Sequence, residues 1–479
     1  MISTLKYLFQ GRRDLFKGLW IDSSGWNWES EVYPVLHLDM SNVDNATMSD
    51  LRESLNYLVK AACEEHGVPY QGSSSPPVNF KSLLSALKRK SPSGKFVLLI
   101  DEYDAPIAGL LDDATLRKML PRARKAMHDF YVKAKAECGS MRFLMVTGVS
   151  KFAKTSIFSA FNNPCDLTFD ARAADLLGYT HEEMQTYFHD HIQAFADQEG
   201  VSYEAMFERL LEWYDSYRFS PDSPDKVVNP VSLGRALANR KFGNYWEATA
   251  GSTLIFEALK SADRTPVDFA DEFRLKRLDS PDALEASAVA LLYQGGYLTI
   301  DRPVDFETVL LKIPNHEVFD SLYDGYVAHL LGKDFAIDDF EGKASKMAKS
   351  LVADGVGGKF ADFMRAGFSR LPHDWVAKDE REAKRAFAAF MAFTGAKLHG
   401  EAQQAAGRPD AVLETKKGVY VFEFKFGGSA EAALAQCRDR NYAAPYADDA
   451  RTVYYIGVNY DPANRTVDDP LCEEAKRRR

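Results

Sequence analysis

The chain has 479 residues, room for about three domains at roughly 150 residues each. Hydrophobic residues make up 46% of it and charged residues 27%, which excludes a wholly disordered or fibrous chain. A net charge of -10, from 59 Lys and Arg against 69 Asp and Glu, excludes a uniformly basic nucleic-acid wrapper and leaves room only for local basic grooves.

Residues 1–175 alternate between strand and helix patterns. Val32–Leu38 reads as a strand, Asp50–Glu65 as a helix, Gln71–Pro77 as a loop and Asn79–Lys90 as a second helix. Lys95–Ile100 is a short unbroken apolar run, the pattern of a strand buried on both faces, and Arg142–Thr147 is another. A long helical stretch, Leu116–Cys138, separates them. Strand, long helix, strand demands a crossover connection and hence a parallel sheet.

Residues 176–375 are largely helical. Within them Ala283–Tyr293 leads into a short strand, Tyr297–Ile300, and a loop at Asp301–Asp305, a succession that suits either a small winged-helix-like unit or a plain helical linker domain. Residues 376–479 return to mixed structure, opening with a helix over Arg381–His399. The five cysteines are widely spaced and form no C-x-x-C pair, so the chain is expected in a reducing, cytoplasmic setting. No 18-residue apolar run occurs, and no membrane partner is expected. His189 and His191, two residues apart on a helix, point to different faces and do not make a ligand pair.

The most informative segment is Gly407–Phe426, which reads as a β-hairpin turning at Thr415–Gly418. In its second strand Val421, Glu423 and Lys425 fall on one face, and Phe422, Phe424 and Phe426 fall on the other. A tight turn at Lys416 and Lys417 places Asp410 opposite Glu423. Opposed carboxylates repel, so this pairing makes sense with a cation between them, and a hard divalent ion such as Mg2+ suits two oxygen ligands. Lys425 would then orient water or offset charge on a phosphoryl oxygen. An amphipathic hairpin with a solvated charged face gives the same alternation without any chemistry.

Pro-Asp, twelve intervening residues and Glu-x-Lys in an apolar strand together resemble the signature of the PD-(D/E)XK nuclease superfamily, matched by Asp410, Glu423 and Lys425. Gln436 on a following helix, with Tyr442 six residues on, resembles the additional Gln and Tyr seen in many members, and Glu401 offers a further acidic position. The resemblance implies that Asp410 and Glu423 bind Mg2+ or Mn2+ and that Lys425 and Gln436 belong to the catalytic site.

A second signature lies at Phe96–Glu102, where an apolar strand ends in Asp101 and Glu102 in the manner of a Walker B element. Together with Asp101–Ile107, Phe143–Phe152, Trp213–Phe219, Asn229–Ser232 and Leu291–Tyr297, it resembles a bacterial AAA-ATPase-like family whose members carry a C-terminal PD-(D/E)XK domain. That resemblance implies nucleotide-binding roles for Asp101, Glu102 and, as a polar sensor, Thr147. The phosphate loop G-x-x-x-x-G-K-[ST] occurs nowhere in the 479 residues. In similar proteins the segment resembling Ser3–Phe16 follows that loop directly, so the first domain is expected to lack the loop and its strand. A start assigned too far downstream and a degenerate ATPase both account for this.

The expected architecture is α/β throughout. It comprises an incomplete P-loop-type parallel-sheet domain (1–175), a helical middle with a winged-helix unit or a plain helical linker (176–375) and a restriction-endonuclease-like α/β domain (376–479). The expected activity is Mg2+-dependent nucleic-acid cleavage, with ATP a cofactor only if a phosphate loop is restored upstream; an oligomer is compatible with this. The alternative is a non-catalytic nucleic-acid- or protein-binding module with both sites degenerate. A sheet without its central strand is expected either to be marginally stable or to show a gap where buried backbone groups lack partners. ATP is therefore expected to leave the melting temperature of the 479-residue chain unchanged, and tight ATP binding by calorimetry would overturn that expectation.

Overall fold

In the first domain the chain runs through three parallel strands, β1 (Val35–Asp39), β2 (Phe96–Asp101) and β3 (Met141–Val146), in the order β1-β2-β3. The structure is a computed structural model that describes residues 1–112, 116–149, 164–246, 272–278, 288–322, 358–369, 377–392, 397–400, 409–414, 418–447 and 449–475. Phe96 to Ile100 of β2 are fully buried, as an apolar strand flanked on both edges must be. The helices Met48–Glu65 and Pro76–Lys90 cross from β1 to β2, and Leu120–Lys135 returns to β3. Thr47 caps the first of these by accepting from Asp50 N, and its apolar stripe, Leu51, Leu55, Val59 and Ala62, is buried. Pro76 starts the second three residues earlier than the helical periodicity suggests, because proline is well suited to the first helical turn.

Among the described residues β1, β2 and β3 are contiguous, and the edge of β3 away from β2 has no described strand partner. β2 bonds to β1 on one edge and β3 on the other, so its backbone groups are satisfied. The helix Ile2–Phe9 lies against the sheet through Ile2 and Phe9, which join Val35, Val97 and Leu99 in one core. β3, paired on one edge, is only half-buried along most of its length.

The middle region is helical, with His181–Tyr187, His189–Glu199, Tyr203–Tyr214 and Pro230–Asn239 packed around Ile192, Phe195, Leu210, Tyr214 and Leu233. Its motif segment Trp213–Phe219 is wired to the backbone. Arg218 donates from Nε to Ser220 O and Ser223 O, and its terminal nitrogens donate to Pro221 O and Asp301 O. A half-buried cation satisfied by carbonyl oxygens gives that motif a structural reason. Three short strands follow, β4 (Glu272–Arg274), β5 (Thr299–Pro303) and β6 (Thr308–Lys312), in the order β4-β6-β5, and the helix Ala288–Gln294 precedes β5. The expected loop at Asp301–Asp305 is therefore shorter. Val304 N and Asp305 N both approach Thr308 O, and that turn lets the strand run on through Pro303.

The fold divides into two compact units, one of Met1–Ile255 with Phe273–Val309 and Ile313–Asn315, the other of Phe256–Glu272, Leu310–Lys312 and His316–Arg479. The second unit contains β7 (Lys397–Gly400), β8 (Ala411–Glu414), β9 (Gly418–Phe426), β10 (Thr452–Asp461), β11 (Thr466–Val467) and β12 (Leu471–Glu474). They form a mixed sheet in the order β11-β10-β9-β8-β7, with β12 also on β10. β9 and β10 are parallel, joined by the crossover helix Ala430–Arg440; the other pairs are antiparallel. The helices Gly358–Phe368 and Glu380–Ala392 cover the phenylalanine face, where the Phe387 ring lies 4.2 Å from that of Phe424 and the Phe360 ring 5.8 Å from that of Phe422. The helix expected over Arg381–His399 is described over Glu380–Ala392, and residues 393–396 lie outside the described residues. His399 instead belongs to β7, where pairing with the edge of β8 outweighs helical periodicity.

Candidate active site

The hairpin that carries the acidic residues has the register expected from its sequence. Ala411 faces Phe422 and Glu414 faces Val419, and Asp410 N donates to Phe422 O, so Asp410 stands opposite Glu423. The turn residues 415–417, together with Glu401, Gly407 and Arg408, lie outside the described residues.

Glu423 is only 2% exposed, so this face is not the solvated one of an ordinary amphipathic hairpin. Its Oε1 accepts from Gln436 Nε2 and lies 3.3 Å from Lys425 Nζ. Lys425 Nζ also donates to Gln436 Oε1 at 2.9 Å and to Phe424 O at 3.0 Å, and Gln436 Nε2 lies 3.4 Å from Tyr442 Oη. Glu423, Lys425, Gln436 and Tyr442 thus form one connected network. Asp410 adjoins it through the backbone, its Oδ2 accepting from Phe424 N at 2.7 Å. The other carboxylate oxygen, Oδ1, takes Lys384 Nζ at 2.5 Å. Glu423 Oε2 is buried and has no hydrogen-bond partner among the described residues.

A glycine brings the helix Ala430–Arg440 down onto this network. Gly457 of β10 lies beside Glu423 in register, and a Cβ there would sit 2.2 Å from Ala430 O and 2.9 Å from Leu434 N. Both are backbone atoms, which cannot step aside as a side chain can. Gly457→Ala is expected to lower stability by about 1 to 3 kcal/mol, seen as a lower melting temperature, because the helix bearing Gln436 must lift off the sheet.

Burial raises the pKa of Glu423 from 4.5 to about 7, Asp410 adds to the rise, and Lys425 opposes it. Burial likewise raises Asp410, against the pull of Lys384. The native state therefore keeps a proton on Glu423 that the unfolded chain has lost between pH 4.5 and 7. Metal-free stability from this group is greatest below that window and declines as pH rises through it. Cation binding requires the carboxylate, so divalent-ion affinity is expected to fall below pH 7, by about tenfold per pH unit for one displaced proton. Calorimetric titrations in buffers of different ionisation enthalpy check both the slope and the proton release.

At the C-terminal end of the parallel sheet, Thr147 Oγ1 donates to Asp101 Oδ1, so two of the three residues expected around a nucleotide are in contact. Glu102 adopts a left-handed backbone (φ 49°), unusual for a side chain of this size. Its pKa is raised, first by burial and then by Asp39, Asp101 and Asp104. Asp39, which no sequence pattern singled out, is the register partner of Asp101. Residues 150–152 of the expected motif lie outside the described residues.

The model of the PD-(D/E)XK nuclease superfamily matches residues 378–469, and that of the family described as Predicted AAA-ATPase matches residues 1–158. The chain thus carries an AAA-ATPase-like segment followed by a PD-(D/E)XK nuclease superfamily domain. Among individual proteins it is similar to "Uncharacterized protein in vnfD 5'region" of Azotobacter chroococcum mcd 1, 27% identical over 486 residues, covering 97% of this chain and 88% of that protein. No solved structure matches. No helix among the described residues is long and apolar enough to cross a membrane.

Proposed function

We propose that the C-terminal domain hydrolyses nucleic-acid phosphodiesters in a reaction that depends on Mg2+ or Mn2+. The observation that carries this reading is the buried, unpartnered Oε2 of Glu423 beside a second carboxylate, Asp410. A buried acceptor without a donor costs free energy, and a hard cation relieves that cost. The donor set fits such an ion, since both groups are carboxylates and Mg2+ completes its coordination with water. Asp410 and Glu423 would hold it, and when bound it would supply Lewis acidity and neutralise charge on the phosphate.

The remaining residues have definable tasks. Phe424 N fixes the rotamer of Asp410, and Gln436 holds both the Glu423 carboxylate and the Lys425 ammonium. Lys425, about a quarter exposed, can orient an attacking water or steady the negative charge that grows on the phosphoryl oxygens. Thr147 donates to Asp101, whose chain neighbour is Glu102, and no hydrolytic role is proposed for these three residues. The test is incubation of the full chain with end-labelled DNA and RNA, single- and double-stranded, with Mg2+ or Mn2+ against a chelator. Cleavage that survives chelation would refute a metal-dependent site.

A further inference from the structure

Each Asp410 oxygen already accepts one hydrogen bond, unlike Glu423 Oε2 among the described residues. Oδ2 of Asp410 is taken by Phe424 N at 2.7 Å and its Oδ1 by Lys384 Nζ at 2.5 Å. Lys384 comes from the helix Glu380–Ala392, and its ammonium also lies 2.7 Å from Glu380 Oε1, one helical turn away. The lysine thus bridges two carboxylates while about three-quarters buried. We infer that Lys384 is a positioning residue of the site, a built-in cation that holds Asp410 until a divalent ion displaces it onto Glu380.

The inference rests on the metal-binding reading above, and the physical reason is direct competition. An ammonium and a divalent ion cannot both sit within contact distance of one carboxylate oxygen without strong like-charge repulsion. Without Lys384, Asp410 would lose its ion-pair partner and face Glu423 with only Lys425, which sits on the Glu423 side, to offset the two buried carboxylates. Glu380 gives the displaced ammonium a partner it already has, so only the Asp410 contact must break.

Calorimetric titration of Mn2+ into the full chain and into Lys384→Met tests the competition. The variant is expected to bind Mn2+ on the order of tenfold more tightly, the scale on which a neighbouring cation alters the affinity of a carboxylate for protons. Wild-type binding with equal or weaker binding by Lys384→Met would overturn the displacement role and leave the metal site standing. No Mn2+ binding by either protein would overturn both. A lysine-selective acylating reagent, read by mass spectrometry on the wild-type chain, gives a measurement independent of how the variant folds. Labelling of Lys384 is expected to rise on saturation with Mn2+; unchanged or reduced labelling of a Mn2+-saturated protein counts against displacement.

Discussion

Glu423→Gln should abolish metal-dependent cleavage while leaving the metal-free protein folded and at least as stable as wild type. The substitution keeps the shape and a hydrogen-bonding carbonyl for Gln436 and Lys425 but removes the charge that would hold the cation. A loss of about a hundredfold or more in rate is expected, the scale of removing one preorganised electrostatic contact. Stability should move the opposite way. With the pKa of Glu423 at about 7, the wild-type carboxylate is ionised, buried and facing Asp410 above that pH. Replacing it should stabilise the metal-free chain by about 1 kcal/mol or more there, and by little at pH 5, where the wild-type group is still protonated. Melting curves at pH 5 and pH 8 without metal check the sign. A variant that melts lower than wild type at pH 8 would show that the network around Oε1 outweighs the cost of the buried charge.

Lys425→Met should lose turnover far more than metal affinity. Its ammonium donates to Gln436, to Phe424 O and toward Glu423, so removing it leaves both carboxylates in place. Turnover is expected to fall about a hundredfold, with Mn2+ affinity unchanged or raised because a positive charge beside Glu423 has gone. Single-turnover rates at saturating Mn2+ separate the two effects. Turnover equal to wild type would remove Lys425 from the reaction.

The parts legible in the sequence were those whose pattern is set locally. β2 shows itself because a strand flanked on both edges and faces must be continuously apolar, and Phe96–Ile100 is. The hairpin bearing Asp410 and Glu423 shows itself because alternation and a short turn fix its register together. What stayed hidden depends on distant partners. Glu380 and Lys384 look like an ordinary exposed pair one turn apart on a helix, and only the packing of that helix against β9 brings the lysine to Asp410. Gly457 looks like a flaw in an apolar strand until the helix Ala430–Arg440 crosses it. Lys397–His399 reads as the end of a helix because nothing local marks the edge of β8.

Calorimetric titration of Mn2+ into the wild-type chain and into Asp410→Asn at pH 8 is the most direct test that Asp410 and Glu423 form a cation site. One binding event in the wild type, lost or weakened at least tenfold in the variant, is the expected result, the size of losing one charged ligand being on the order of the effect of an adjacent charge on a carboxylate. Equal Mn2+ binding by both proteins, or none by the wild type, would contradict it.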